Sequence, residues 1–337
     1  MLCEFAPHSL LQTWLLLTVI GFTIVMSASS VVFYYYYWPS NVTFEKWQRK
    51  TNPKYPTPEK VRDEIVQTAK GIYTATLCPA ISIYLAQTGR SKAYCSDNPF
   101  TDTDHGAAFG VLLQFTIITI VSDFCEWGYH RLGHVYPRFW AFHKHHHVFF
   151  NPSPFAVIAD EYVDQFFRAM PLLLFPLFFP INMDVMFFTY GAFFYFYGVY
   201  LHWGYESPYL SAHNPIFNTA YHHYLHHAKA ILGKPYHTGF FFKIWDHLVW
   251  GGVYPVEKCF CCECEKKKGK RSEALYKKVV VPDYSVLFDV NFWFDKGALS
   301  GTSASDANEE LTKEEQFFSA AGAGVVSGKQ EEEKKID

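Results

Sequence analysis

Long apolar stretches alternate with polar ones through the first two thirds of the chain. Residues 14–38 are almost free of charge, and at about 1.5 Å per helical residue they can cross a bilayer core of about 30 Å. Further apolar stretches cover residues 71–87, 107–124 and 166–201. This pattern predicts an all-α membrane protein with about four to five transmembrane or re-entrant helices.

Two of these stretches carry additional information. Pro180, Asn182 and Asp184 interrupt the last one and predict the turn of a hairpin. The first one is not predicted to be a cleaved signal peptide, because its apolar run exceeds the about 7 to 15 residues of a signal's core and no basic residue precedes it. A buried core helix is the alternative for the shorter stretches.

Charges in the loops predict the orientation. Seven basic residues lie between the first two apolar stretches, whereas residues 88–106 carry two basic residues and three aspartates. Because cytoplasmic loops are enriched in Lys and Arg, we expect the first loop in the cytoplasm and residues 88–106 in the lumen. The histidine-rich stretches then lie on the cytoplasmic side, and the sequon at Asn41 is predicted to carry no glycan.

Composition supports this interpretation and narrows the function. The chain is 50% hydrophobic, 19% aromatic and only 18% charged, below the about 25% charged residues of soluble domains. The net charge of −3 and the lack of a basic stripe interleaved with aromatic residues exclude nucleic acid as a partner.

Eight cysteines are present, and their placement argues against a disulfide framework. Four are crowded into a C-x-C-C-x-C run beside a lysine-rich segment: Cys259, Cys261, Cys262 and Cys264. This location suits palmitoylation at a membrane surface, with inert thiols as the alternative. A tetrahedral zinc site is the weaker interpretation, because we interpret the run as lacking the two-residue gap of paired zinc-binding thiolates.

Nine of the sixteen histidines form a spaced pattern. They are His130 and His134; His143, His146 and His147; His202; and His223, His226 and His227. Histidines three or four positions apart share one helix face, so that each cluster can direct several imidazoles toward one point. Their number exceeds what one tetrahedral zinc uses, which predicts two metal ions.

The ligand type leaves zinc, copper, iron and nickel open. The H-E-x-x-H motif of hydrolytic zinc enzymes is absent, and a pair of redox-active irons that activates O2 against a lipid is the favoured hypothesis. Four residues are candidates to orient the rings or to act as further ligands: Asp123, Glu126, Glu206 and His222. Salt bridging or capping is the alternative for the carboxylates.

These motifs resemble a known family. Asp123, His130-Arg131-x-x-His134 and Phe142-His143-Lys144-x-His146-His147 resemble the fatty acid hydroxylase and sterol desaturase superfamily of membrane di-iron enzymes. The segment from Asn218 to His227 and the Trp245-Asp246 pair resemble its sterol C5-desaturase branch. The resemblance covers about residues 30–252.

The resemblance implies a function and a domain organisation. It implies two non-haem Fe ions, O2, and electrons from NAD(P)H through cytochrome b5 and its reductase, with a Δ7-sterol as substrate. Residues 1–106 would hold the N-terminal membrane helices and a cytoplasmic loop, residues 107–252 the catalytic domain, and residues 253–337 a Cys/Lys-rich cytoplasmic tail. The composition of residues 297–337, mostly Ser, Ala, Gly, Glu and Lys, predicts that this last part of the tail is disordered. A sterol C4-methyl or other lipid hydroxylase, and a non-catalytic binding protein, are the alternatives.

Three details qualify this resemblance or add to it. Glu161 stands where the family usually has a histidine, and His237 lies in a segment that differs from the family's N-Y-G. Both residues are therefore uncertain members of the site. The final Lys334-Lys335-Ile336-Asp337 resembles a retrieval signal of the endoplasmic reticulum, with a random charged tail as the alternative.

Overall fold

The computed structural model describes residues 2–294. The expected disordered tail from residue 297 and the dilysine-like end lie outside the described residues. The helices are α1 Leu2–Phe5, α2 Leu10–Tyr37, α3 Phe44–Trp47, α4 Pro58–Ala75, α5 Leu77–Gln87, α6 Ala107–Val135, α7 Pro137–His147, α8 Tyr162–Arg168, α9 Pro171–Phe178, α10 Met183–Phe188, α11 Tyr195–His202, α12 Ala220–Lys229, α13 Ile244–His247, α14 Cys262–Lys267, α15 Glu273–Tyr276 and α16 Val290–Phe294.

Short turns and one π-helical stretch complete the described chain. The 3₁₀ turns are Pro39–Asn41, Thr103–His105, Pro154–Ala156, Val256–Lys258 and Tyr284–Phe288, and the π-helical stretch is Thr189–Phe194. Extended pairing between residues 2 and 294 is limited to four isolated bridges. The predicted helical class is therefore confirmed for this part of the chain.

Between residues 2 and 294, two helices are long and apolar enough to cross a membrane. These are α2 and α6, with mean hydropathies of 2.2 and 1.8 over their most apolar windows. Only 11% and 28% of those windows are buried, whereas the core helix of a soluble protein is mostly buried. Val31 and Phe109, for example, are 70% and 72% exposed. Apolar surface left outside on this scale fits contact with lipid.

The apolar stretch 71–87 is divided between two helices, where the sequence pattern predicted one. Helix α4 ends at Ala75 and α5 begins at Leu77. Pro79 explains the break, because its ring nitrogen cannot donate the helical hydrogen bond to the carbonyl of Ala75. Farther along, α9 ends at Phe178 and α10 begins at Met183, so the chain turns where Pro180 and Asn182 predict it.

The loop 88–106 and the histidine clusters lie at opposite ends of the helices. At one end, Tyr94 pairs with Asn182 in the hairpin turn, and the Asn182 N–H donates to Gln114 Oε1 at 2.8 Å. At the other end, the Tyr37 hydroxyl donates to the carbonyl of Trp203 at 3.0 Å. The about 20 residues from the hairpin turn to Trp203 rise about 30 Å as helix.

The segment after the last predicted membrane stretch packs back onto the first loop. Arg271 donates to the carbonyl of Thr51 at 3.2 Å, and the Tyr284 hydroxyl donates to that of Pro56 at 2.7 Å. Tyr284 is fully buried. Residues 256–294 therefore pack against the first loop, at the end of the molecule that holds the histidine clusters.

Helix α4 packs closely against another segment of the chain at Gly71. A Cβ at this position would lie 2.2 Å from the carbonyl oxygen of Ile158. One turn earlier, the Thr68 hydroxyl donates to the carbonyl of Phe155 at 2.5 Å. Only glycine therefore lets α4 lie against the segment that leads to Asp160.

We expect Gly71→Ala to destabilise the protein. Forcing a methyl group against a backbone carbonyl costs about 1–3 kcal/mol, and for a chain of this size about 1 kcal/mol lowers Tm by about 2–4 °C. The matched control is Gly128→Ala, since a Cβ there meets nothing within 4 Å and alanine favours the helix. Thermal unfolding of the full chain in detergent, followed by circular dichroism, compares them, and equal Tm values would contradict the packing described.

Candidate metal centre

Nine histidine side chains converge where α6, α7, α11 and α12 meet. They form two groups, and within each group the ring nitrogens that could bind a metal lie within 4.8 Å of one another. The first group contains His130, His134, His143, His147 and His226, and the second contains His146, His202, His223 and His227. The structure thus divides all nine histidines of the sequence pattern between two candidate metal positions.

Each H-x-x-H-H cluster is shared between the two groups. On α7, His143 and His147 belong to the first group and His146 to the second. Successive residues of an α-helix point about 100° apart, whereas residues four apart point nearly the same way. Helix α12 repeats this division in reverse, with His226 in the first group. Two facing helices therefore contribute to both positions at once.

Six of the nine rings have Nδ1 close to an oxygen of the protein. The Nδ1 partners are the carbonyls of Thr238 (2.9 Å from His130), Ile231 (3.3 Å from His134), Ala159 (3.4 Å from His146), Gly198 (2.8 Å from His202) and Tyr236 (2.7 Å from His226), together with the carboxylate of Asp164 (3.0 Å from His143). The carboxylate of Asp160 also lies 3.3 Å from His146 Nδ1. A ring that donates its Nδ1 proton keeps the Nε2 lone pair for a metal.

The inward-facing nitrogens fit a pair of metal ions. The Nε2 atoms of His130, His134 and His226 are buried without a hydrogen-bond partner. In the second group, His223 Nε2 lies 2.9 Å from His202 Nε2 and 3.2 Å from His227 Nε2. Two nitrogens bound to one ion at about 2.1 Å lie about 3.0 Å apart at a right angle, so these spacings are those of shared metal ligands.

Burial keeps the imidazoles in the form that binds metals. It lowers the pKa values of the six clustered histidines on α7 and α12 well below their usual range, and neighbouring imidazoles lower them further. These six are His143, His146, His147, His223, His226 and His227. These rings are therefore neutral at pH 7 and have a free lone pair.

Arg168 joins three carboxylates behind the α7 histidines. Its guanidinium contacts Glu126 and lies 3.9 Å from Asp164 and 4.0 Å from Asp160. Burial raises the pKa of Asp160 to about 7, and the Arg168 charge opposes this rise. Arg168 thus helps to keep the two aspartates that contact His143 and His146 ionised.

A second pair of carboxylates holds the loop that contacts His130. Asp246 accepts the N–H groups of Thr238 and Gly239, both at 3.1 Å, and the carbonyl of Thr238 faces His130. Asp123 accepts the N–H of Phe241 at 2.6 Å and the Trp245 indole N–H at 2.7 Å. Asp123 therefore supports the site through this loop and not through a ring nitrogen.

The remaining candidates from the sequence contact other groups. Glu206 accepts the Cys262 N–H at 2.7 Å, and Glu161 caps α8 by accepting the Val163 N–H at 2.7 Å. His222 Nε2 lies 3.3 Å from Lys243 Nζ, and His237 Nε2 accepts the Tyr254 N–H at 3.2 Å. None of these four side chains belongs to either histidine group among the described residues.

Sequence reasoning did not single out Asp160, Asp164 and Arg168 as parts of the site. Their four-residue spacing was the available signal, since it places Asp164 and Arg168 on one face of a helix. Charged side chains in so apolar a chain are expected to be paired when buried. Which histidine they would meet depends on how α8 packs beside α7.

Comparison with known proteins extends these observations. The family model for fatty acid hydroxylase matches residues 115–250, which contain all nine histidines. The chain is 30% identical over 261 residues to a Delta(7)-sterol 5(6)-desaturase of Aspergillus fumigatus, covering 76% of this chain and 68% of that protein. The predicted resemblance is thereby confirmed.

Two further relatives agree. A Delta(7)-sterol 5(6)-desaturase of Gibberella zeae is 29% identical over 66% of this chain and 58% of its own length. One from Schizosaccharomyces pombe is 34% identical over 43% of this chain and 45% of its own length. The chain thus spans about half the length of these two relatives. No solved structure matches it significantly.

We expect Asp164→Ala to weaken metal binding. The substitution removes the acceptor 3.0 Å from His143 Nδ1, and loss of such a partner typically lowers metal affinity about 10- to 100-fold. The metal affinity of Asp164→Asn, which keeps an acceptor oxygen, should lie between those of the wild type and Asp164→Ala. The control is Val163→Ala, an exposed neighbour on the same helix. Metal content of the purified chain during titration with a chelator measures the effect, and wild-type retention in Asp164→Ala would refute this role.

Proposed function

The chain belongs to the fatty acid hydroxylase family, and on this basis we propose that it is a sterol C5(6)-desaturase that acts on a Δ7-sterol. The observation that carries the proposal is the pair of all-histidine groups within the matched region. Alignment with several Delta(7)-sterol 5(6)-desaturases supports the substrate class.

The proposed reaction removes one hydrogen from each of two adjacent ring carbons and forms a double bond between them. O2 receives these two hydrogens together with two electrons and two protons, and two waters leave. Electrons would come from NAD(P)H through cytochrome b5 and its reductase. Two Fe ions would supply the activation of O2, one held by His130, His134, His143, His147 and His226 and the other by His146, His202, His223 and His227.

The protein itself would orient the histidine rings and keep water away from the metal ions. Contacts at Nδ1 fix six of the rings, so that little reorganisation is needed when ligands bind. Eight of the nine histidines are buried and His147 is partly so, and exclusion of water limits side reactions of a strong oxidant.

An open apolar groove on the surface is a candidate contact site for a lipid. It measures about 360 Å³ and is lined by Phe188, Ala192, Phe193, Phe196, Tyr197 and Tyr200. Small-molecule sites commonly have about 300–1,000 Å³. The groove follows one helical face up to Tyr200, two residues before His202 in the second histidine group. An apolar sterol ring system fits these lining residues.

We propose that the chain is a multi-pass protein of the endoplasmic reticulum membrane, with the histidine cap and the C-terminus in the cytoplasm. Loop charge supports this orientation, and so do the cysteines. Cys95 in the loop 88–106 is disulfide-bonded, as expected in an oxidising lumen. Cys259, Cys261 and Cys264 at the opposite end are free thiols, as expected in the cytosol. The boundaries 1–106, 107–252 and 253–337 remain our proposed domains.

Expression in cells that lack C5-desaturation, followed by sterol profiling, tests the activity. The wild-type chain should restore Δ5,7-sterols, whereas His146→Ala and His227→Ala should abolish turnover because each removes a metal ligand. His247→Ala is the matched control, since His247 is an exposed histidine outside both groups.

Product mass separates the outcomes. Desaturation lowers the sterol mass by two hydrogens, whereas a hydroxylase of the same family would add one oxygen. Membrane-inserted protein that yields no Δ5,7-sterol would refute the desaturase proposal, and full activity in His146→Ala or His227→Ala would refute the ligand assignment.

Glycosylation mapping tests the orientation. A cytoplasmic first loop predicts that Asn41 carries no glycan, while a sequon introduced into the loop 88–106 should be glycosylated. A glycosidase-sensitive mass shift on a gel is the measurement. A shift at Asn41 in the wild-type chain would reverse the proposed orientation.

A further inference from the structure

A second set of metal-binding side chains lies outside the nine-histidine centre. It consists of His213, Cys259, Cys261 and Cys264, whose Nε2 or Sγ atoms all lie within 4.8 Å of one another. The three cysteines are free thiols. His213 belongs to the loop between α11 and α12 and lies 48 positions before Cys261, so only the fold brings these residues together.

We propose that these four side chains bind one Zn²⁺ ion in a tetrahedral Cys3His site. Thiolate and imidazole ligands in this number are typical of structural zinc. With ligands at about 2.3 Å and 2.05 Å, a tetrahedral ion separates sulfur from nitrogen by about 3.6 Å. His213 Nε2 lies 3.3 Å from Cys261 Sγ and 3.6 Å from Cys264 Sγ, close to that separation.

The sequence interpretation that disfavoured zinc here was wrong about the spacing. Cys261 and Cys264 form a C-x-x-C pair that Cys262 and Glu263 obscure. Cys262 points elsewhere, since its Sγ lies 3.3 Å from the carbonyl of Lys50. The run therefore supplies three converging thiols and one that is excluded, and His213 completes the set.

The surroundings favour a negatively charged metal site. Three thiolates and Zn²⁺ carry a net charge of −1. The Tyr221 hydroxyl lies 3.5 Å from Cys259 Sγ and can donate to a thiolate, because the Phe260 N–H satisfies its oxygen at 3.1 Å. Lys268 Nζ donates to the carbonyl of Cys259 at 3.0 Å and places a positive charge nearby.

The proposed zinc would brace the catalytic centre from outside. It would connect the segment after residue 255 to the loop that joins His202 to α12. Tyr221 on α12 packs in the same hydrophobic cluster as Cys261. His223, two positions later, points to the opposite side of α12, toward the histidine centre. Binding would release up to three thiol protons and would fix the two helices that supply most of the second histidine group.

Zinc analysis of the purified full-length chain tests the proposal. Elemental mass spectrometry should find about one tightly held zinc per wild-type chain, falling about 10-fold or more in His213→Ala and Cys261→Ser because a tetrahedral site loses one of its ligands. His213→Cys should retain the metal by supplying a fourth thiolate. Cys262→Ser is the matched control from the same run and should retain zinc.

Two further measurements distinguish loss of this zinc site from misfolding of the variant and from zinc bound at the histidine centre. His146→Ala should keep this zinc, because it alters only the other site. Replacement by Co²⁺ should give thiolate-to-cobalt charge-transfer absorption in wild type and Cys262→Ser, and His213→Ala should lose it. Equal zinc and cobalt spectra in wild type and His213→Ala would overturn the proposal. So would hydroxylamine-labile acyl groups, or a disulfide, on these cysteines in the native wild-type chain.

Discussion

The packing of nine neutral imidazoles, eight of them buried, around two points is the constraint on which the rest of this structure depends. Their inward nitrogens find either no hydrogen-bond partner or only one another, and an unpaired buried polar group costs about 1–3 kcal/mol. A metal ion at each point removes that cost by accepting the lone pairs. The fold must therefore deliver α6, α7, α11 and α12 to one place with their histidine faces inward.

The outer contacts follow from this requirement. A ring that must present Nε2 inward needs an acceptor at Nδ1, and backbone carbonyls provide five such acceptors while Asp164 provides one. Buried aspartates need a counter-charge in turn, which Arg168 supplies. Gly71 contributes at a distance, because it lets α4 press the segment 154–160 toward α7.

The two ends of the molecule serve different purposes. The apolar helices expose large apolar side chains on their surface, as lipid contact requires. The cap is polar, and hydrogen bonds connect its distant segments to one another. The proposed Cys3His site belongs to this cap, on the face of α12 opposite the histidines. It offers a way to hold short helices in place where a membrane no longer constrains them.

The sequence by itself determined the helical class, the nine histidines and the family, because periodicity, spacing and motif letters are local properties of a chain. It also placed the hairpin turn at Pro180 and Asn182. Only the tertiary structure decided how each H-x-x-H-H cluster is shared between two metal positions, since that depends on the rotation of α7 against α12. The π-helical stretch before His202 and the approach of Asp164 to His143 depend likewise on packing between distant segments. The same holds for His213 beside Cys261, where a spacing of 48 positions carries no local signal and only the folded loop creates the site.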